Sequence, residues 1–174
     1  MAAVEEVTLR GGLLTGARRA RTSGDRHEVE AELDTDGLVR RLRVRYVRGV
    51  FTRSAAYEAV DELFEGRVGA GGAKQLVSAK LGRYREVDGD LVIFRALTIA
   101  HIIARGQIRW TGRVATIDPS SLVAVSRKQS CRRLDPQTWS YESGMGDSER
   151  IEIDGQGRIL RRRDDRGTEA VLVG

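Results

Sequence analysis

The sequence predicts a mainly β fold: one domain over residues 1–174, an antiparallel β-barrel or β-roll of calycin-like or spiral type, with one main α-helix at about residues 54–65. Three observations predict it. From Gln75 onward, short β-branched or alternating segments recur between turn residues, the mark of an antiparallel sandwich, barrel or roll. Residues 26–51 alternate charged and apolar side chains at strand period. A single convincing segment places apolar residues at helical spacing between a capping serine and a glycine. A chain of 174 residues can bury one proper core and is too short for two ordinary domains.

The elements follow in order. "VEEVTLR" reads as a strand that turns at Gly11-Gly12 and leads to a basic loop around Arg18, Arg19 and Arg21. "RHEVEAEL" and "LVRRLRVRYV" read as two strands joined by the turn-forming cluster Asp34-Thr35-Asp36-Gly37. On the first, Glu28, Glu30 and Glu32 share one face and Val29, Ala31 and Leu33 the other. On the second, Arg41, Arg43 and Arg45 oppose Leu42, Val44 and Tyr46. Paired as a hairpin, the strands set a Glu ladder beside an Arg ladder on a solvated outer face, each cross-strand pair contributing roughly 0.2–1 kcal/mol. The Glu neighbours already neutralise the cations, which argues against an anionic ligand on the Arg ladder itself.

"TRSAAYEAVDELFEGR" supplies the predicted helix, with Ser54 as N-cap, Tyr57, Val60, Leu63 and Phe64 at helical spacing, and Gly66 as the C′ residue. "GRVGAGGAK", residues 66–74, lacks the Gly-Lys-Ser/Thr ending of a phosphate loop and reads as a flexible connector or lid. Then come "QLVSAKLGRYREV", a turn at Asp88-Gly89, "DLVIFRALTIAHII", a turn near Arg105-Gly106, "QIRWTGRVATI", a turn at Asp118-Pro119-Ser120, and "SLVAVSRKQSCRRL". Within this series "ALTIAHIIA" suits a buried strand or a buried helix, and periodicity does not arbitrate. "TWSYES", "ERIEI" and "RILRRR" close the chain as a meander, with a turn or bulge at "GMGDS", a tight turn at "DGQG", and an exposed end or sheet edge at Arg161 to Arg163.

Composition narrows the function classes. Thirty Lys plus Arg against 25 Asp plus Glu give a formal charge of +5 and a pI near 9.9. That balance suits nucleic acid, an anionic surface or an acidic small molecule, and equally a composition bias toward Arg. Aromatic residues make up only 5% and do not interleave with the cations, which disfavours nucleic-acid binding through base stacking. A single cysteine, Cys131, excludes an internal disulfide framework and a multi-thiolate zinc site, and His27 and His101 are the only imidazoles, so neither a metal nor a cofactor is expected. The N-terminus has no signal-peptide pattern and the longest apolar run holds Arg95 and His101, so a cytoplasmic protein without a membrane span is expected.

The most apolar stretches carry the candidate site. Tyr84, Phe94, Trp110, Trp139 and Tyr141 are the candidate liners of a ligand cavity, and Arg95 and His101 its polar handles. Each has a plainer reading as a core residue, and no carboxylate stands at local spacing to orient His101. Arg95 is the most informative, because a guanidinium in an apolar segment needs a partner when buried.

The succession "LTIAHIIARGQ", "IDPSSLVAVSRKQSCRRLDPQTWSYES" and "RIEIDGQGRILRR" resembles the C-terminal half of the bacterial glycolipid-binding family, described as a spiral β-roll. Gln129, Arg133-Leu134, Trp139, Tyr141, Asp154 and Gly157 stand in matching order, while Cys131 occupies a position where the family has a ring. The resemblance covers residues 97–162 only, and it implies binding of an amphiphile in a β cavity without assigning a catalytic residue.

The leading expectation is therefore a binding module for a small amphiphilic or hydrophobic molecule, lipid-, glycolipid- or polyketide-like. The alternative is a cofactor-free cyclase or isomerase of bacterial natural-product biosynthesis that holds a folded substrate in the same cavity, with His101, Arg95 and Tyr141 as catalytic candidates. No Gly-x-Ser-x-Gly elbow or activated Cys-His pair is visible, so covalent catalysis is not expected. A second alternative is nucleic-acid binding by the Arg-rich surface, and a third is a homodimer through an open strand edge. Steep salt dependence marks the nucleic-acid reading, and salt-insensitive uptake of a hydrophobic dye marks the cavity.

Overall fold

The computed structural model describes residues 3–21, 23–70, 72–82, 86–89, 91–143, 147–154, 158–165 and 169–171. Its elements are strands β1 (Ala3–Arg10), β2 (Leu13–Ala20), β3 (Arg26–Leu33), β4 (Val39–Arg48), β5 (Phe51–Val60), β6 (Leu63–Ala70), β7 (Ala73–Lys80) and β8 (Val87–Asp88), then helix α1 (Ile93–Ala104). Strands β9 (Arg109–Ile117), β10 (Ala124–Arg133), β11 (Thr138–Glu142), β12 (Ser148–Ile153), β13 (Ile159–Asp164) and β14 (Glu169–Val171) follow. The fold is mainly β with one helix among the described residues, in a curled-sheet architecture of the barrel or roll type. The first sheet has seven strands in the order β1 to β7, and the second runs β14-β13-β12-β11-β10-β9-β8. The strand pair β8–β9 is parallel, with Val87 opposite Ala115.

The chain divides into two compact units, one comprising Met1–Val92 and Val114–Ser126, the other Ile93–Arg113 and Arg127–Gly174. Unit one is built on an up-and-down antiparallel meander in which every strand pairs with its neighbour in sequence. Two-residue loops close four of its hairpins, since Arg10 pairs Leu13, Arg48 pairs Phe51, Val60 pairs Leu63 and Ala70 pairs Ala73. The positive φ values these tight turns demand fall on Gly11 (56°) and Gly12 (81°), Gly49 (57°), Asp61 (52°) and Gly72 (92°). The β3–β4 turn is held by Asp34, whose Oδ1 accepts the Asp36 N–H at 3.0 Å and the Leu38 N–H at 2.9 Å.

Alternation then sorts the two faces. Leu14, Val29, Ala31, Leu42, Val44, Ala55, Tyr57, Phe64 and Ala79 are buried, together with Leu81, Leu91, Val114 and Leu122 of the same unit. Tyr57 ties this core together: its hydroxyl donates to the Leu122 carbonyl at 2.6 Å and accepts the Ala124 N–H at 3.0 Å, while its ring stacks on Phe64 at 5.0 Å. Burial pushes the phenol up to about 12, against the opposing pull of the Ala124 N–H, so the group stays protonated and serves as a donor.

The helix expected at about 54–65 is replaced by β5, a two-residue turn and β6. Val60 and Leu63, which suggested helical spacing, are exposed and flank the turn. The residues that bury are Ala55, Tyr57, Phe64 and Val68, at strand period on each side of it. Gly66, expected as a helix C′ residue, lies opposite Tyr57 in the β5–β6 ladder. A Cβ on Gly66 would stand 2.3 Å from the Ala56 carbonyl oxygen and 2.4 Å from Tyr57 Cδ1, so the glycine makes room for the ring. Pairing on both edges, with β4 and with β6, outweighs the helix propensity of the alanines.

Three smaller expectations are corrected in the same way. Residues 66–74 form the facing ends of β6 and β7 rather than a connector or lid, because Val68 buries and Gly72 supplies the turn. Arg18 and Arg19 lie in β2, paired with β1 and β3, rather than in a basic loop. Arg161, Arg162 and Arg163 lie in β13 between β12 and β14, so the expected sheet edge is corrected, whereas Arg161 and Arg163 are exposed as the alternative expectation had it; their charges are met by Glu149 and Glu169. The glycines of "DGQG" and the "GMG" segment lie outside the described residues.

In unit two the ambiguous apolar segment is α1, with Phe94, Ala96, Thr98, Ile99, His101 and Ile102 buried. Phe94, Thr98 and Ile102 recur every fourth residue on one helical stripe, and the Thr98 hydroxyl donates to the Phe94 carbonyl at 3.2 Å. Gly106, at φ 65°, follows the helix as a C-terminal stop, with its N–H bonded to the Ile103 carbonyl at 2.8 Å. Trp139, Tyr141, Cys131, Ile151 and Ile153 form the buried face of the strands of the same unit.

Candidate functional site

The exposed face of the first sheet follows from the ladder registers. Adjacent strands place Thr8, Thr15, Glu30, Arg43, Ala56, Arg67 and Leu76 in one cross-strand row. The next row holds Glu6, Ala17, Glu28, Arg45, Ser54, Gly69 and Lys74. The Glu and Arg ladders expected from alternation are therefore present, with Glu28 opposite Arg45, Glu30 opposite Arg43 and Glu32 opposite Arg41.

Side-chain size varies along each row, and that variation hollows the face. Ala17, Ser54, Ala56 and Gly69 are small and stand between long charged residues, so an open trough of about 770 Å³ lies over the sheet of unit one. Its lining holds three carboxylates, Glu6, Glu28 and Glu30, and five cations, Arg26, Arg43, Arg45, Arg67 and Lys74. Arg43 bonds Glu30 at 2.7 Å, Arg26 reaches Glu28 at 2.9 Å, and Arg45 reaches the same carboxylate at 3.5 Å. These exposed pairs contribute little to stability but they hold the ladder side chains extended along the wall. Among the described residues, Arg67, Lys74 and the Ser54 hydroxyl have no such partner.

A second polar constellation lies inside unit two. Arg95 on α1 places Nε 2.8 Å from Glu149 Oε2, and both side chains are nearly enclosed, at 11% and 7% exposure. Arg162 of β13 takes the other oxygen of the same carboxylate. The Arg95 guanidinium also lies 5.5 Å from the centre of the Tyr141 ring, and the Tyr141 hydroxyl donates to Gln129 Oε1. One carboxylate between two guanidiniums satisfies the requirement that a buried Arg be paired.

This cluster brings together two of the candidate site residues, Arg95 and Tyr141, with Gln129, named above for the resemblance, and it adds Glu149 and Arg162. Phe94, His101, Trp110 and Trp139 are also buried in unit two. Tyr84 lies outside the described residues. None of the six described candidates lines the trough. Cys131, buried opposite Tyr141 in the β10–β11 ladder, has its thiol pushed up to about 12 by burial, against a hydrogen bond from the Arg132 N–H, and is no nucleophile at neutral pH.

The trough escapes a reading of the sequence that looks for apolar and aromatic cavity liners, because its floor is small and its walls are charged. The available signal was the run of Ala, Ser and Gly on the outward-facing positions of β2, β5 and β6, readable only once β5 and β6 are known to be strands. The Arg95–Glu149 pair had no local signal, since its partners are brought together only by packing of α1 on the strands of its unit.

No protein-family model matches the chain, and no curated protein matches it. A solved structure does: that of a DUF1089 family protein from Pseudomonas aeruginosa, 20% identical, with a TM-score of 0.68 over 92% of this chain and 88% of that one. At this identity the likeness establishes the fold.

Proposed function

We propose that the protein binds a small amphiphilic molecule in the trough of unit one. The observation that carries this reading is the trough itself: about 770 Å³ of open space whose floor is small and whose walls are charged and hydroxylated. Pockets for small molecules and cofactors span roughly 300–1,000 Å³, so the volume suits a lipid-, glycolipid- or polyketide-like ligand. Thr8, Thr15 and Ser54 supply hydroxyls, the Glu30–Arg43 and Glu28–Arg45 pairs supply both acceptors and donors, and Ala17, Ala56 and the exposed Leu76 nearby supply apolar surface. The resemblance of residues 97–162 to the glycolipid-binding family implies the same ligand class but involves no residue of the trough lining.

The cyclase reading gains nothing from the geometry, because Arg95, His101 and Tyr141 stand outside the trough lining. The nucleic-acid reading is weakened by the carboxylates paired with Arg41, Arg43 and Arg45.

The test is native mass spectrometry of the protein purified from its own host, with and without Ser54→Trp, which fills the trough floor from an exposed position. A co-purified small molecule that is released on denaturation and is lost in the variant supports the reading. A ligand retained by Ser54→Trp, or none in either protein after incubation with alkyl glycosides and alkyl phosphates, overturns it.

A further inference from the structure

Resting on that reading, we infer that the ligand's head is anionic and that Arg67, Lys74 and Ser54 hold it at the β6–β7 end of the trough. The ladder cations are already occupied: Arg43 by Glu30, and Arg26 and Arg45 by Glu28. Arg67 and Lys74 are different, since among the described residues neither has a carboxylate partner.

Register brings the three donors around Gly69. Gly69 lies opposite Ser54 on one side and opposite Lys74 on the other, and Arg67 stands two residues before it on the same strand and face. Arg67 and Lys74 are thus diagonal cross-strand neighbours, about 7–8 Å apart at their backbones, close enough for both to reach a single anion. Gly69 contributes no side chain to the space between them. A Cβ there would stand 3.6 Å from Lys74 Cγ and 3.1 Å from the Ala73 carbonyl oxygen. Arg67, Lys74 and Ser54 thus border one stretch of the trough and offer it a planar fork, a point charge and a hydroxyl.

Polarity along the trough fixes the orientation. Glu6, at the other end of the Lys74 row on edge strand β1, has no cationic partner among the described residues. An anion is repelled from that end and drawn to the other. Phosphate is the chemistry that matches best, because Arg binds two of its oxygens through parallel N–H groups, Lys adds a point charge and Ser a hydroxyl. A lipid phosphate and a free phosphate share this chemistry.

The experiment is calorimetric titration with dodecyl phosphate, dodecyl maltoside and inorganic phosphate, each below micelle formation. It uses the wild-type chain, the Arg67→Gln/Lys74→Gln double variant, and Arg109→Gln/Arg132→Gln as an equal charge change outside the trough. Expected is a preference for dodecyl phosphate over dodecyl maltoside of about tenfold or more, lost in the Arg67/Lys74 variant and retained in the Arg109/Arg132 variant. Equal affinity for the two amphiphiles, or a preference that survives loss of Arg67 and Lys74, overturns the headgroup assignment while leaving the amphiphile reading standing. A preference lost equally in both double variants also overturns it, because net charge then explains the selectivity. Inorganic phosphate displacing dodecyl phosphate at equal concentration supports the anion cradle and overturns the amphiphile reading. Binding of none of the three overturns both.

Discussion

Arg95 Nε lies 2.8 Å from Glu149 Oε2, joining the only helix among the described residues to a strand of the same unit through a nearly enclosed ion pair. Removing one partner leaves the other charged and buried. Glu149→Ala is therefore expected to cost about 3–5 kcal/mol of unfolding free energy, read from urea titration. The double substitution Arg95→Met/Glu149→Leu is expected to recover most of that loss, because Arg162, at 19% exposure, can turn to solvent. A double variant no more stable than Glu149→Ala would show that the carboxylate acts mainly through Arg162.

Tyr57 is the corresponding tie in unit one. Tyr57→Phe removes the acceptor of the Ala124 N–H and the donor to the Leu122 carbonyl, and it leaves two buried backbone groups without partners. The expected cost is about 1–3 kcal/mol, with faster amide exchange at Ala124 as the local readout. Unchanged exchange at Ala124 would mean that water replaces the hydroxyl.

Asp118 makes stability depend on pH. Burial alone would raise its carboxyl, but hydrogen bonds from the Ser121 N–H and hydroxyl and from the Ser120 hydroxyl and N–H outweigh burial and hold it below the usual carboxylate range. A group depressed in the folded state contributes stability above its unfolded value, about 3.9, and loses it as pH falls through the lower folded value. Asp118→Ala is expected to lower stability by about 1 kcal/mol at neutral pH, with the deficit shrinking below about pH 4. A deficit constant from neutral to acidic pH would assign the effect to packing instead.

Cys131 is expected to be inert in the folded protein. The residue is 2% exposed and burial pushes its thiol up to about 12, so almost no thiolate forms at pH 8. Titration with a chromogenic disulfide reagent at that pH should register no thiol until denaturant is added. Stoichiometric reaction in the native protein would reveal opening of the β10–β11 pair.

Local alternation and turn chemistry specify one part of the fold without reference to distant contacts. Glu28, Glu30 and Glu32 against Arg41, Arg43 and Arg45 specify a hairpin with one charged face, because a one-residue slip would bury every charge. Gly11-Gly12 and Asp34 to Gly37 mark turns by backbone and Asx geometry that few other residues provide. The need of Arg95 for a partner was legible too, since burying an unpaired guanidinium is too costly, although Glu149 as that partner was not.

Contacts between residues distant in sequence set the remainder. Residues 51–70 became two strands and residues 93–104 a helix although both stretches are rich in alanine. Strand pairing is a non-local interaction that outweighs propensities of a few tenths of a kcal/mol per residue. The trough arose in the same way. Ala17, Ser54, Ala56 and Gly69 are unremarkable in sequence, and only the cross-strand register, which sets them in two neighbouring rows on one face of the sheet, makes four small residues part of one trough.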